Sequence, residues 1–301
     1  MYLTPSLWPV RSAHDLSRRR CLQWLGALSL APAARAASSL PEGTGWPRAR
    51  AVPGGVARVP LGPFDTRPRA FDGTTPLLVL GEASGWHAWV GIALSAEPGE
   101  YRVECQAPGE APRSVPYTVE PHRYPEQHLR VEPRTVELSP EDLARHQRER
   151  AHQLQVTQRF SEAPANWFAS PDALRMSAPV SGRLSSPFGA RRVFNGQARQ
   201  PHSGIDLAAP QGTPVATPLD AEVIDIGDYF FNGLTVWLDH GGGLLSMLCH
   251  LSRISVQTGA RLVVGQELGA VGATGRATGP HLHWSVMLNR QMVDPTLFLA
   301  G

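Results

Sequence analysis

The sequence predicts an all-β protein: a small N-terminal β-sandwich, a helical connector and a C-terminal antiparallel β-domain. Three observations predict it. Pro (28) and Gly (29) are abundant among the 301 residues, which favours turn-rich β structure over helical bundles. From Val52 to Val119, short β-type runs alternate with turn residues. After about Met176 the composition becomes Gly-rich, β-branched and apolar, and stays so to the end. The length fits two domains at roughly 100–200 residues each. Hydrophobic residues at 42% and charged residues at 18% are globular proportions.

Residues 1–36 read as an export signal. Ser17-Arg18-Arg19-Arg20 is positively charged, the apolar run Cys21–Leu30 follows, and Ala34-Arg35-Ala36 is a small-residue cleavage pattern. The run is too short for a spanning helix, which needs about 20 apolar residues. The Ser-Arg-Arg-x-x-Leu order resembles twin-arginine signals; a Sec signal that happens to carry three Arg is the alternative. Cleavage near Ala36 removes five Arg and one Asp and turns the formal charge from +2 to −2. That balance excludes a strongly basic nucleic-acid binder. No other segment is long and apolar enough to span a membrane, so a mature, exported, periplasmic chain is expected.

Residues 37–50, rich in Ser, Pro, Gly and Arg, read as a mobile lead-in, and 51–125 as the β-sandwich. Its runs are Gly55–Pro60, Thr75–Leu80, His87–Leu94, Gly99–Gln106 and Ser114–Val119. Apolar and charged residues alternate in Glu100–Cys105, giving one buried and one wet face. His87, His122 and His128 read as surface or packing residues. Residues 126–175 form the connector. Ser139 caps a helix, Pro140 opens it, and Glu141 and Asp142 suit its positive end. The pattern extends to about Phe160, before Ala163-Pro164, and its few apolar positions mark a solvated helix.

Residues 176–301 form the second β-domain, with strands expected at Thr213–Thr217, Ala221–Gly227, Thr235–Asp239, Leu244–Leu251 and His281–Leu288. Five of the 11 His fall here. On a strand, His281 and His283 share one face. If His202-Ser203-Gly204-Ile205-Asp206 is extended, His202 and Asp206 also share a face, with Gly204 leaving room between them. Together these segments can supply His, His and Asp to one cation. Three N/O ligands and an open fourth position form a catalytic zinc arrangement. Softer metals would want thiolates, and calcium more carboxylates. There is no H-E-x-x-H, which excludes the helix-borne zinc protease. With three Cys in all, a disulfide scaffold and a four-Cys zinc module are excluded; Cys105 and Cys249 read as two buried thiols, with a bridge between them the alternative that an oxidising compartment allows.

These motifs carry a resemblance. Pro201–Asp206, "LDHGGGLLSMLCHLS" and "GATGRATGPHLHW", with "SSPFGARR", "GTPV" and "VDPTLFL", resemble the LytM/lysostaphin-type zinc metallopeptidases over about Pro179 to Leu299. More loosely, "VPGGVARVPL" and "YPEQHL" resemble the β-sandwich domain of exported Gram-negative members. The resemblance implies a lysostaphin-like fold and one Zn²⁺ held by His202, Asp206 and His283. It implies His250 and His281 as the catalytic pair and a metal-activated water. The implied substrate is the stem-peptide cross-link of peptidoglycan, as for a D,D-endopeptidase. Cys249 would point to the opposite face of its strand from His250, and His240 would be structural. Two other readings remain open: a non-catalytic LytM-type activator of wall amidases, and a wall-binding module with a structural zinc.

Overall fold

The computed structural model describes residues 45–129, 138–168, 170, 172–194, 197–198 and 200–300. Residues 1–36, expected to be an export signal, and residues 37–44 of the expected lead-in lie outside them. Residues 43–301 form one compact unit.

The first half contributes β1 (Val56–Gly62), β2 (Arg69–Asp72), β3 (Thr75–Pro76), β4 (Leu78–Glu82), β5 (Gly85–Gly91), β6 (Gly99–Gln106) and β7 (Arg113–Val119). They make two antiparallel sheets, β1-β5-β4 and β3-β2-β6-β7. Ala57, Val59, Val79, Ala88, Val90, Val103 and Cys105 fill the space between them. That is the expected sandwich. The chain then forms β8 (Glu126–Leu129) and α1 (Pro140–Val156).

The second half contributes β9 (Arg183–Ser186), β10 (Arg191–Phe194), β11 (Gln197–Ala198), β12 (Ile205–Ala208), β13 (Pro214–Ala216), β14 (Ala221–Tyr229), β15 (Gly233–Gly241), β16 (Leu244–Ile254), β17 (Arg261–Leu262), β18 (Glu267–Val271), β19 (His281–Leu288) and β20 (Gln291–Val293). Its main antiparallel sheet runs β17-β14-β15-β16-β19-β12-β9, with β18 and β13 branching from β16 and β20 from β19. A separate small sheet, β11-β10-β8, pairs β10 in parallel with β8.

Strand alternation joins the halves. On β1, β4 and β5, one set of side chains faces the sandwich core. The other set, Val56, Leu78 and Trp89, joins the core of the second half with Leu244, Leu248, Trp284, Val286 and Leu288. The sheet β1-β5-β4 is therefore apolar on both faces, and its strands read as nearly continuous apolar runs. The opposite face of the main sheet carries Trp237, Leu245, Met247, Cys249 and Met287.

Helix α1 lies on this opposite face. Ser139 Oγ accepts from Asp142 N, as the capping pattern predicts. The helix has no buried residue and is fastened by polar contacts. His152 bonds Asp225 at 2.7 Å, and Glu149 accepts from Phe230 N at 2.8 Å. It stops at Val156, earlier than the expected Phe160. Thr157 caps it, and its N–H bonds Gln153 O. Arg159 then leaves the helical path to pair with Asp239 at 3.0 Å. The described part of the lead-in is tied down: Trp46 packs on the main core, and Arg48 N donates to Leu297 O at 2.9 Å. No helix among the described residues is long and apolar enough to cross a membrane.

Because Trp89 is buried at the joint, Trp89→Ala should destabilise the whole unit by about 3–5 kcal/mol. Urea unfolding followed by fluorescence and by circular dichroism should still give one shared transition. Separate transitions for the two halves would contradict a common core.

Candidate metal centre

Two neighbouring strands bring the donors together. β12 and β19 pair with Asp206 directly opposite His283. Directly opposed residues point to the same face, so the carboxylate and the imidazole meet across the ladder. His283 Nδ1 lies 2.9 Å from Asp206 Oδ1. His202 stands just before β12, its backbone fixed by bonds with Ala190 and Gly189. Its Nε2 lies 3.0 Å from His283 Nδ1 and 3.0 Å from Asp206 Oδ1. The three residues are 3%, 9% and 9% exposed for His202, Asp206 and His283, so their mutual electrostatics are weakly screened by water.

Gly204 permits this approach. A Cβ there would sit 2.5 Å from Trp284 O, 2.6 Å from Ser285 Oγ and 2.8 Å from His283 Cε1. Any larger residue would push the His283 ring off its position.

The donor chemistry fits a cation. His202 Nδ1 lies 2.9 Å from Pro187 O, which can only accept. That nitrogen therefore carries the proton, and Nε2 keeps its lone pair. His283 Nε2 is engaged by Ser285 Oγ at 2.8 Å, which leaves Nδ1 turned to the other donors. Asp206 Oδ1 can only accept. Three lone-pair atoms thus converge within 4.8 Å of one another, an arrangement a cation stabilises. Burial alone would raise the Asp206 carboxyl. Where no cation is bound between them, hydrogen bonds and charge from His202 and His283 outweigh that and hold it well below the usual carboxylate range. Burial lowers His283, against the pull of Asp206. Both shifts keep the ligands deprotonated.

Two further imidazoles stand beside this trio. His281, half-buried, places Nε2 3.8 Å from Asp206 Oδ1, while its Nδ1 donates to Gly279 O at 2.8 Å. His250 donates from Nδ1 to Thr274 O at 2.9 Å. Its ring centroid is 4.7 Å from that of His281 and 6.0 Å from that of His283. In both cases a backbone carbonyl fixes the tautomer and leaves Nε2 unprotonated. Burial, helped by the neighbouring His283, lowers His250 to about 3. All five residues singled out from the sequence therefore sit in one cluster.

One expectation is corrected. Cys249 pairs directly with His283, so it shares the metal-site face instead of turning away from it. The alternation rule failed because β16 is not regular here. Its register with β15 shifts between Leu251 and Leu248, and His250 has φ 62°. That left-handed residue, costing about 1–3 kcal/mol, brings two consecutive side chains to one face. Cys249 lies fully buried with Trp237, Met247 and Met287, and burial pushes its thiol up to about 12. Cys105 and Cys249 are both free and buried. His240 is a packing residue, bonded to Asp220 O at 2.9 Å and Ser246 Oγ at 2.8 Å. His122 and His128 bond Arg50 and Glu126 in the first half. Sequence reasoning missed Arg192, whose Nη2 donates to Asp206 Oδ2 at 3.1 Å. The signal was present in "SSPFGARR", but two adjacent Arg gave no indication of which one turns inward.

An antiparallel β-domain that presents two imidazoles and a carboxylate beside two more imidazoles has the make-up of a metallopeptidase. The chain belongs to peptidase family M23. The family model matches residues 200–295, and the model of the M23 N-terminal domain matches residues 49–122. A Pseudomonas aeruginosa crystal structure described as a peptidase M23 is 45% identical, covering 83% of this chain and 95% of that one, with a TM-score of 0.68. The DD-carboxypeptidase/endopeptidase Mpg of Neisseria meningitidis is 42% identical over 116 residues, 38% of this chain and 27% of the relative. The peptidoglycan DD-endopeptidase ShyA of Vibrio cholerae is 39% identical over 113 residues, 37% and 26% of the two chains. The chain thus spans about a quarter of the length of these curated relatives. The resemblance read from the motifs is borne out at the level of family and fold.

Gly204→Ala should lower the bound metal measured by elemental analysis by at least about tenfold, because it displaces a ligand ring. Metal content equal to the parent would contradict the packing argument. Acid should destabilise the metal-free protein. A histidine held at about 3 in the fold takes its proton first in the unfolded chain. Its contribution is therefore intact above about pH 6.5 and is lost progressively as pH falls toward 3. Denaturant titrations from pH 8 to pH 4 should show this decline, and His250→Asn should reduce its slope below pH 6.5.

Proposed function

We propose that this chain is a zinc-dependent endopeptidase that hydrolyses peptide cross-links in bacterial cell-wall peptidoglycan. The observation that carries the reading is the convergence of His202 Nε2, Asp206 Oδ1 and His283 Nδ1, with the Nε2 atoms of His250 and His281 left free by their bonds to carbonyls. His202, Asp206 and His283 would hold one Zn²⁺. When bound, the ion polarises the scissile carbonyl and makes water nucleophilic at ordinary pH.

The remaining chemistry falls to the protein. Hydrolysis moves a proton from the attacking water to the departing amine and builds charge on the former carbonyl oxygen. His250 and His281 divide these tasks between them: proton transfer and stabilisation of the oxyanion. Their Nδ1 bonds to Thr274 O and Gly279 O leave one Nε2 each for the reacting centre: one takes the water's proton and passes it to the amine, and the other stabilises the oxyanion as a donor when its Nε2 also carries a proton. Cys249, directly opposite His283 on the neighbouring strand, is fully buried, and such withdrawal from solvent strengthens these interactions. Relatives named as peptidoglycan DD-endopeptidases support the cross-linked stem peptide as substrate. In this reading residues 1–36 are a cleaved export signal, near Ala36, and the enzyme works in the periplasm. Residues 51–125 are the N-terminal β-sandwich, 126–175 the linker with its helix, and 176–301 the peptidase domain.

Digestion of purified sacculi, with mass spectrometry of the released muropeptides, tests activity and bond together. Cleavage should stop with a chelator and return with zinc. His202→Ala and Asp206→Ala should bind no zinc and cut nothing. His281→Ala should keep stoichiometric zinc and lose about 10²–10⁴-fold in rate. Parental digestion by the His281 variant would remove its catalytic role, and parental digestion in chelator would remove the metal from the reaction.

A further inference from the structure

Each of the three donors leans on a neighbour. His202 donates to Pro187 O, and His283 engages Ser285 Oγ. Asp206 is held through its second oxygen. Arg192 Nη2 donates to Asp206 Oδ2 at 3.1 Å and reaches Ser186 Oγ at 3.4 Å. The Arg192 side chain is 23% exposed, so its charge is largely withdrawn from water, and its Nε is buried with no partner. A guanidinium kept under those conditions is costly, and the charge-assisted bond to Asp206 is the contact that offsets the cost.

Its place is set from the N-terminal half. β10 lies parallel to β8, with Gln127 aligned to Arg192. Ser186 Oγ lies 3.4 Å from Gln127 Oε1 and 3.3 Å from His202 Nδ1. The segment that follows the sandwich therefore stands behind two of the three donors.

We propose that Arg192 is a positioning residue for Asp206. By occupying Oδ2 it turns Oδ1 toward His202 and His283 and prevents the carboxylate from rotating to offer both oxygens. The inference rests on the zinc reading above. A competing physical effect has the opposite sign. A guanidinium is also a positive charge beside a dication, and as a mere charge its removal would tighten metal binding. Positioning predicts weaker binding.

The test uses the full exported chain with Arg192→Gln and Arg192→Lys. Zinc affinity is measured by competition with a chromophoric chelator, together with thermal unfolding of the metal-free proteins and kcat and KM on cross-linked muropeptides. Arg192→Gln should weaken zinc about 10–100-fold, as loss of an outer partner of a ligand does. It should also lower kcat more than KM changes, with the metal-free protein still folded. Arg192→Lys keeps the charge without the planar fork and should fall between the two. Affinity within twofold of the parent, or tighter, in Arg192→Gln would overturn the proposal. If that variant does not fold, Arg192→Lys decides: a loss supports positioning, and parental affinity overturns it. A parent chain that binds no zinc would defeat the zinc reading itself, a result distinct from either.

Discussion

The register between β12 and β19 is the constraint on which the rest depends. Asp206 faces His283 because these two strands pair in that alignment. A slip of β12 by one residue would turn Asp206 to the apolar face occupied by Leu282 and Trp284 and bring Ile205 and Leu207 out of the core. It would bury a carboxylate among hydrocarbon and part it from His283. The alignment is thus enforced by the hydrophobic effect acting on residues that never touch the metal site. The site inherits its precision from the core behind it.

That explains why the first half matters to the chemistry of the second. The strands β16 and β19 are covered on one face by Val56, Leu78 and Trp89 from the sheet β1-β5-β4. Without that backing, much of the apolar surface that fixes the register would face water. On the other face the cover changes character. Beside the donors, Cys249 opposite His283 joins the apolar cluster of Trp237, Met247 and Met287. Further along, α1 is attached by polar contacts, Arg145 to Asp228 O, Glu149 to Phe230 N and His152 to Asp225, and not by buried side chains. One face specifies the fold, and the other serves the site and tolerates polarity.

Much of this was legible in the sequence, because strand alternation is a strict rule where strands are regular. The bounds Gly99–Gln106 and His281–Leu288 match the structure, and the i, i+2 imidazoles share a face as the period of two requires. His202 and Asp206 were paired correctly because Gly204 between them signals close approach. The failures have one physical origin. Where the backbone departs from its period, local pattern loses its meaning. His250 takes a left-handed φ within β16, so Cys249 and His250 both face the site. The helix ends at Val156 because Arg159 is drawn to Asp239, a contact 80 residues away in sequence. The parallel pairing of β8 with β10, and through it Arg192, is equally non-local. Nothing in "YPEQHL" announces a partner some sixty residues on.

The electrostatics of the site follow from the same geometry. A carboxylate that is nine-tenths buried is unstable as an isolated charge. It persists here because imidazoles and a guanidinium approach it from different strands: His202 from the edge of β12, His283 from β19, Arg192 from β10. No single strand could supply all three: His202 is near Asp206 in sequence, but Arg192 and His283 come from 14 and 77 residues away. An antiparallel sheet solves the problem by placing side chains of distant sequence about 5 Å apart. The imidazoles must be neutral to offer lone pairs, and burial keeps His283 and His250 that way. Desolvation, which would be a penalty for a charged cluster, is therefore what prepares the neutral nitrogens to bind a cation. The same burial that makes the donors costly to assemble makes them ready.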